Sequence, residues 1–365
     1  MKYTEVDMNA VVERGFQNYK KDESSNDEFQ LSDDYAVQHF LLPYKKFMDD
    51  VEVTELAVND EGRFWVLKNS KWTMHNSPNT TDDKLISLGT TVAQFAKGTF
   101  DRNTPILSAS MPDGSRMQIV QSPAVESRRT SFTMRRPSTK TYLLDDFEQQ
   151  GMFRRTVVAK NEMKPHEQAL KKLLKEGDYK NFIKQAVINK LNIVCCGATG
   201  SGKTTFMKGI VHEIPLHERI ITIEDVRELF LPHQNAVHLV YPGIKNKNGE
   251  LIVTTQDLLK SCLRMKPDRI LLAELRSQEC LYYIRSAASG HPGSITSCHA
   301  GSAAEAFEQM TIMIKESDAG ANLEYQIIKR LLQLTVDVII QFDVDNEGRY
   351  IKEIYYKPEL KYELA

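Results

Sequence analysis

Cysteine is scarce in this chain of 365 residues: there are five, two of them adjacent at Cys195 and Cys196 and the others far apart. An odd, dilute set cannot make the disulfide framework of a small secreted domain and fits a reducing compartment, with the cytosol as the expectation. No C-x-x-C pair accompanies the Cys298–His299 neighbours, so a four-ligand zinc site is not expected either. Net charge is equally small. Forty-seven Lys and Arg oppose 49 Asp and Glu, a formal balance of −2, which gives no global pull toward nucleic acid or anionic lipid. Specific nucleic-acid binding is therefore not expected. Long apolar runs are missing too: none approaches the roughly 18 residues of a membrane-spanning helix. The opening MKYTEVDMNAVVERGF puts acids where a signal peptide needs basic and apolar residues. Any membrane contact should be peripheral, and no internal repeat is visible.

What is present is core-forming material, 41% hydrophobic with 26% charged. At about 150 residues per domain, the length predicts roughly two domains. Residues 1–35 read as a polar, acidic leader. From Val53, strand-like runs alternate with turn signals: VTELAVN, Asp60-Glu61-Gly62, RFWVLKN, and later PILSASM, Pro112-Asp113-Gly114, RMQIVQ. These predict two hairpins flanking a helix near Lys84 to Ala96, and hence an α+β domain over 36–147. Arg128, Arg129, Arg135, Arg136 and Lys140 form the densest single-sign cluster, read first as a solvated face or strand edge. A linker is expected at 148–165. Beyond it, helical spacing (HEQALKKLLKEG, NFIKQAVINK) leads into apolar strands that alternate with helix-length segments: LNIVCCG, RIITIED, RILLAEL, GSITSCHA and VDVIIQFDV. That alternation predicts a mostly parallel sheet wrapped by helices over 166–365, an α/β fold.

Gly197-Ala198-Thr199-Gly200-Ser201-Gly202-Lys203-Thr204 satisfies GxxxxGK[ST], after an apolar strand and before a helix-compatible run starting at Thr205. The pattern is chemical rather than ornamental. Its glycines let backbone N–H groups turn inward as an anion nest at a helix N-terminus, Lys203 reaches the β and γ phosphates, and the Thr204 hydroxyl ligates magnesium. A purely structural turn gives no reason to place a lysine among helix N-terminal donors. ATP and Mg2+ are the expected ligands. Two further strand ends supply acids: Glu224 and Asp225 after RIITI, and Glu274 after RILLA. Ligands of open α/β sheets bind at carboxyl strand ends, and hydrolysis needs one acid for the metal shell and one to orient or deprotonate water. Asp225 alone is equally explained as a helix cap. His291 and His299 flank a short strand, where a histidine is either structural or a sensor of the neighbouring phosphate charge.

In order along the chain, GATGSGKTT (197–205), TIEDVREL (222–229), LRMKPDRILLAELR (263–276) and SGHPGSITSCHAGS (289–302) resemble the four boxes of secretion ATPases. The likeness is greatest to the VirB-eleven-like hexameric ATPases of bacterial type IV secretion and conjugation. It extends through PILSASMPDGSRMQIVQSP (105–123) and SFTMRRPS (131–138), and so over roughly 40–360. The resemblance implies a RecA-like ATPase domain behind an amino-terminal α+β domain, a homohexamer, and ATP held where the two domains meet. Residues 197–205 would hold the phosphates, Thr204 and Glu274 the magnesium, Glu224 would be the general base, and Arg116 and Arg135 would reach the γ-phosphate. His291 and His299 fall on the family's histidine box. Implied partners are inner-membrane components of a type IV secretion system, including other ATPases and a coupling protein, with the protein peripheral on the cytoplasmic face. Ala273 stands where many P-loop enzymes carry the second-strand aspartate. The rival readings are a type II secretion or type IV pilus motor, which would share the boxes, and a RecA-like nucleic-acid translocase, which would need a basic, aromatic-lined channel.

Overall fold

A computed structural model of the protein describes residues 34–137 and 141–363. Nearly all of the acidic leader, and Lys140 of the basic cluster, lie outside the described residues. Two sheets organise the chain. The first has six antiparallel strands in the order β3-β2-β1-β6-β5-β4, formed by β1 (Val53–Val58), β2 (Arg63–Lys68), β3 (Lys71–Asn76), β4 (Ile106–Ser110), β5 (Arg116–Val120) and β6 (Ser131–Arg135). Helices α1 (Tyr35–Leu41), α2 (Lys45–Met48) and α3 (Asp82–Phe95) accompany it. Leu85, Leu88 and Val92 on α3, spaced three and four residues apart, bury one apolar stripe into the same core as Leu56, Ile119 and Phe132. Both expected hairpins form, β1–β2 around Gly62 and β4–β5 around Gly114, each glycine at positive φ.

The basic cluster is not an edge. β6 lies between β1 and β5 with Ser131, Phe132, Thr133 and Met134 all buried, so the arginines bracket a central strand. Arg128 and Arg129 face Glu61 and Asp60, and Arg136 donates to the Asp50 carbonyl.

After α4 (Leu144–Gln149) the chain runs in turns to α5 (Pro165–Lys175), with Val157 and Val158 fully in solvent. Helix α6 (Tyr179–Ile188) then leads into a seven-stranded sheet of order β13-β12-β7-β11-β10-β8-β9. Its strands are β7 (Ile193–Gly197), β8 (Ile220–Glu224), β9 (Ala236–Val240), β10 (Arg269–Leu272), β11 (Ile295–Cys298), β12 (Val338–Asp345) and β13 (Gly348–Tyr356). All neighbours are parallel except β12–β13. The crossovers are α7 (Lys203–Ile210), α8 (Thr255–Cys262), α9 (Glu279–Ala288), α10 (Ala303–Lys315) and α11 (Tyr325–Thr335), and α12 (Glu359–Glu363) closes the chain. β7, β8, β10 and β11 are buried along their whole length, which is why they read as largely apolar runs.

The sheets share a boundary. Val125, after β5, bridges Leu239 of β9, and Val240 donates its N–H to the Ala124 carbonyl, so the first module covers the outer edge of the second sheet. Arg219, fully buried before β8, donates to Asn59, Thr133 and Asn235 side chains and to the Met265 carbonyl. Gln118 donates to Ser261 at 2.8 Å in the same seam. Buried polar groups of this kind persist where most of their atoms find partners; Asn235 Nδ2 is the exception in this seam.

Candidate nucleotide site

β7 ends at Gly197, and the loop to α7 must turn sharply under the incoming strands. A Cβ on Gly197, at φ +154°, would stand 2.7 Å from both the Phe342 carbonyl oxygen and Ser201 Oγ, so nothing larger fits. Gly202, at φ +98°, caps α7 in the left-handed region. Lys203 follows as the first helical residue. Its side chain is buried and folds back over the loop, with Nζ donating to the carbonyls of Gly197 at 2.7 Å and Ala198 at 2.9 Å. Burial pulls its pKa down and Glu274 partly restores it. Thr199, Gly200 and Thr204 open onto a cleft of about 340 Å³. Thr205 faces the other way, into a second hollow with Ser201 and Gly202.

The strands β8, β10 and β11, which are neighbours, end on this cleft. Each contributes at or just past its carboxyl end: Glu224 from β8, Glu274 from the turn after β10, and His299 after β11. The parallel arrangement thus collects residues 75 positions apart at one rim. Glu224 is fully buried; Oε2 accepts the N–H groups of Glu228 at 2.7 Å and Leu229 at 2.9 Å, while Oε1 has no hydrogen-bond partner. Burial raises its pKa, and those two amides hold part of the rise back. Glu274 is engaged on both oxygens. His299 Nε2 lies 2.6 Å from Oε1, and Arg276 Nε donates to Oε2 at 2.6 Å while its Nη1 reaches Asp225 at 3.2 Å. Arg276 received no role from the sequence. Its only sequence signal is its place inside the 263–276 box, because the Asp225 contact spans 51 positions.

Three expected site residues stand elsewhere in this chain. His291 precedes β11 at its amino end, with Nδ1 3.1 Å from the Pro267 carbonyl before β10, and burial lowers its pKa. Two histidines flanking a four-residue strand must fall at opposite ends of it. Arg135 lies 3.6 Å from Glu55, whose charge is felt by Arg219 and Lys266 at the amino ends of β8 and β10. Arg116 sits opposite Arg135 across the β5–β6 ladder, exposed. Neither arginine lines the chain's own cleft.

Magnesium can be tested against these donors. A hard cation takes oxygen ligands, commonly one or two protein groups alongside phosphate oxygens and waters. The Thr204 hydroxyl and the Glu274 carboxylate, both facing the cleft, fit that role. Among the described residues no cluster of three or more His, Cys, Asp or Glu could hold a metal unaided.

Known proteins place this geometry. Residues 90–346 match the family model described as Type II/IV secretion system protein. The Type IV secretion system protein VirB11 of Brucella suis is 44% identical over 352 residues, spanning 94% of this chain and 98% of the relative. The Bartonella quintana protein of the same name is 39% identical, over 87% of this chain and 92% of its own length. Among solved structures, the VirB11 ATPase of the Brucella suis type IV secretion system, in complex with sulphate, superposes with a TM-score of 0.85 at 45% identity, covering 90% of this chain and 99% of that one. The chain therefore belongs to the VirB11 family of type IV secretion ATPases.

Proposed function

We propose that this protein hydrolyses ATP to ADP and phosphate as a subunit of a six-membered motor ring of a type IV secretion or conjugation apparatus. One observation carries the reading: a glycine-built anion nest with its lysine opens onto two glutamates and a histidine from three adjacent strand ends. Phosphoryl transfer is accelerated mainly by positioning and charge stabilisation, and that is what these parts supply. The sulphate complex of the Brucella relative agrees with an anion site.

Lys203 must leave the Gly197 and Ala198 carbonyls to meet the phosphates. Glu224 is held on one oxygen by two amides and presents the other without a partner, the arrangement of a positioned base whose raised pKa favours accepting a proton. Glu274, clamped by Arg276 and His299, is better suited to the charge network and to holding magnesium with Thr204. Magnesium, when bound with the nucleotide, would neutralise phosphoryl charge. Because Arg116 and Arg135 lie off their own chain's cleft, any contact they make with a γ-phosphate is with that of a neighbouring subunit, and the ring is then part of the active site. Loss of the γ-phosphate would release that contact and let modules rotate against inner-membrane partners, among them other ATPases and a coupling protein. No helix among the described residues is long and apolar enough to cross a membrane, and a peripheral position on the cytoplasmic face of the inner membrane suits this role. Phosphate release by the purified protein tests the proposal. Wild type should turn over with Mg-ATP, Lys203→Ala and Glu224→Gln should not, and equal rates for all three would refute it.

A further inference from the structure

The phosphate loop separates two hollows of different chemistry. On the β11 side, acids and His299 surround the larger one. On the β12 side lies one of about 300 Å³, lined by Ser201, Gly202 and Thr205 of the loop and helix start, and by Phe342, Arg349 and Tyr350 of the β12–β13 hairpin and its approach. Its floor is apolar: the Phe206 and Phe342 rings meet edge to face at 5.0 Å between centroids, beside Ile351. The Arg349 side chain crosses the loop so closely that a Cβ on Gly202 would stand 3.1 Å from its Cδ. Its guanidinium has no hydrogen-bond or ion-pair partner among the described residues. A nucleoside triphosphate is itself two-sided, with a polyanion at one end and a flat aromatic base at the other.

Resting on the reading of the loop as a phosphate site, we infer that this hollow is the base-binding subsite, that Arg349 and Tyr350 stack on the base, and that it accepts adenine and guanine alike. Stacking on an aromatic ring or a guanidinium plane grips any base, because every base offers a π-face. Discrimination requires groups that hydrogen-bond the base edge and are left unpaired by the wrong one. Among the described residues no carboxylate, side-chain amide or imidazole lines this hollow. Arg349 and Tyr350 lie on the face of the base in this arrangement and do not address its edge, and the Ser201 and Thr205 hydroxyls rotate to donate or accept, so none of these groups tells the two purines apart.

Competition against a fluorescent ATP analogue, with magnesium, by ATP, GTP and inorganic tripolyphosphate tests this in the full-length protein. ATP and GTP should compete within about threefold of each other, and tripolyphosphate at least about tenfold less well. Arg349→Ala and Tyr350→Ala, both on an exposed hairpin, should each weaken ATP and GTP by about tenfold and leave tripolyphosphate unchanged, which also shows that the variants are folded. Unaltered ATP binding in both variants would remove the hollow from nucleotide recognition. An equal loss of tripolyphosphate would make Arg349 a phosphate ligand instead, and a hundredfold preference for ATP over GTP would show that the edge is read. The underlying phosphate reading fails separately, through tripolyphosphate binding that survives Lys203→Ala.

Discussion

At the scale of single residues, the site is an exercise in how neighbours set the duty of a side chain. Glu224 and Glu274 are both glutamates at carboxyl strand ends, yet one keeps a bare oxygen and the other has none. Arg276→Ala should therefore free Glu274 and lower turnover with little change in melting temperature, since Arg276 is exposed; an unchanged rate would place Arg276 outside the reaction. Glu55 offers a pH test. Burial pushes its carboxyl up to about 7, against the pull of Arg135, Lys266 and Arg219. The folded chain thus holds this proton more tightly than the unfolded one. Its contribution to stability is complete below the unfolded value and is lost as pH rises toward 7, by at most about 3 kcal/mol. Urea titrations between pH 5 and 8 should show that loss in wild type and a flatter profile in Glu55→Gln; parallel profiles would exclude it.

At the scale of elements, backbone crowding constrains the phosphate loop before any ligand does. Gly197→Ala drives a methyl against the Phe342 carbonyl and Ser201, and should cost about 1–3 kcal/mol in chemical denaturation; an undiminished midpoint would mean that the loop has room to yield. The same elements show what a sequence can display. β7, β8, β10 and β11 were legible because full burial leaves mostly apolar residues, with exceptions such as Arg269, Thr222 and Glu224. β3 (KWTMHN), largely exposed at the edge, and β13 (GRYIKEIYY) carry no such pattern, and β9 (AVHLV) is short and owes its place to β8. β6 hid among arginines, since burial of SFTM depends on β1, far away in the chain, as well as on its neighbour β5. The phosphate loop and its acids were readable for a different reason: their spacing is local. The Arg276 bridge to Asp225 and the departure of Arg116 and Arg135 from their own cleft are tertiary facts without a local signature.

At the scale of the whole molecule, the seam around Arg219 makes the two modules of one chain a single packed body. Arg219→Ala would strand the Asn59 side-chain oxygen and the Met265 carbonyl in a buried space, while Asn235 keeps its bond from Asn59, for a loss of about 2–6 kcal/mol read from equilibrium unfolding. Asn59→Ala should lose only about 1–2 kcal/mol; similar values would mean that the charge matters little. A mixing experiment checks the arginine geometry. If Arg135 serves the neighbour's nucleotide, an equimolar mixture of Lys203→Ala and Arg135→Ala subunits contains rebuilt sites and should recover roughly a quarter of wild-type turnover, because half the subunits supply each intact part. Sites completed within one chain would give no recovery.

The short pairing of Ala124 and Val125 with β9 also bears on how this protein can be cut apart. Residues 166–365 expressed alone would carry an unguarded strand flank and a stripped apolar face where Val120, Ala124 and Val125 had rested. Such a fragment would stick to its own copies rather than stay dispersed. Soluble halves are better sought by retaining the 116–135 ribbon, or by supplying it as a separate peptide.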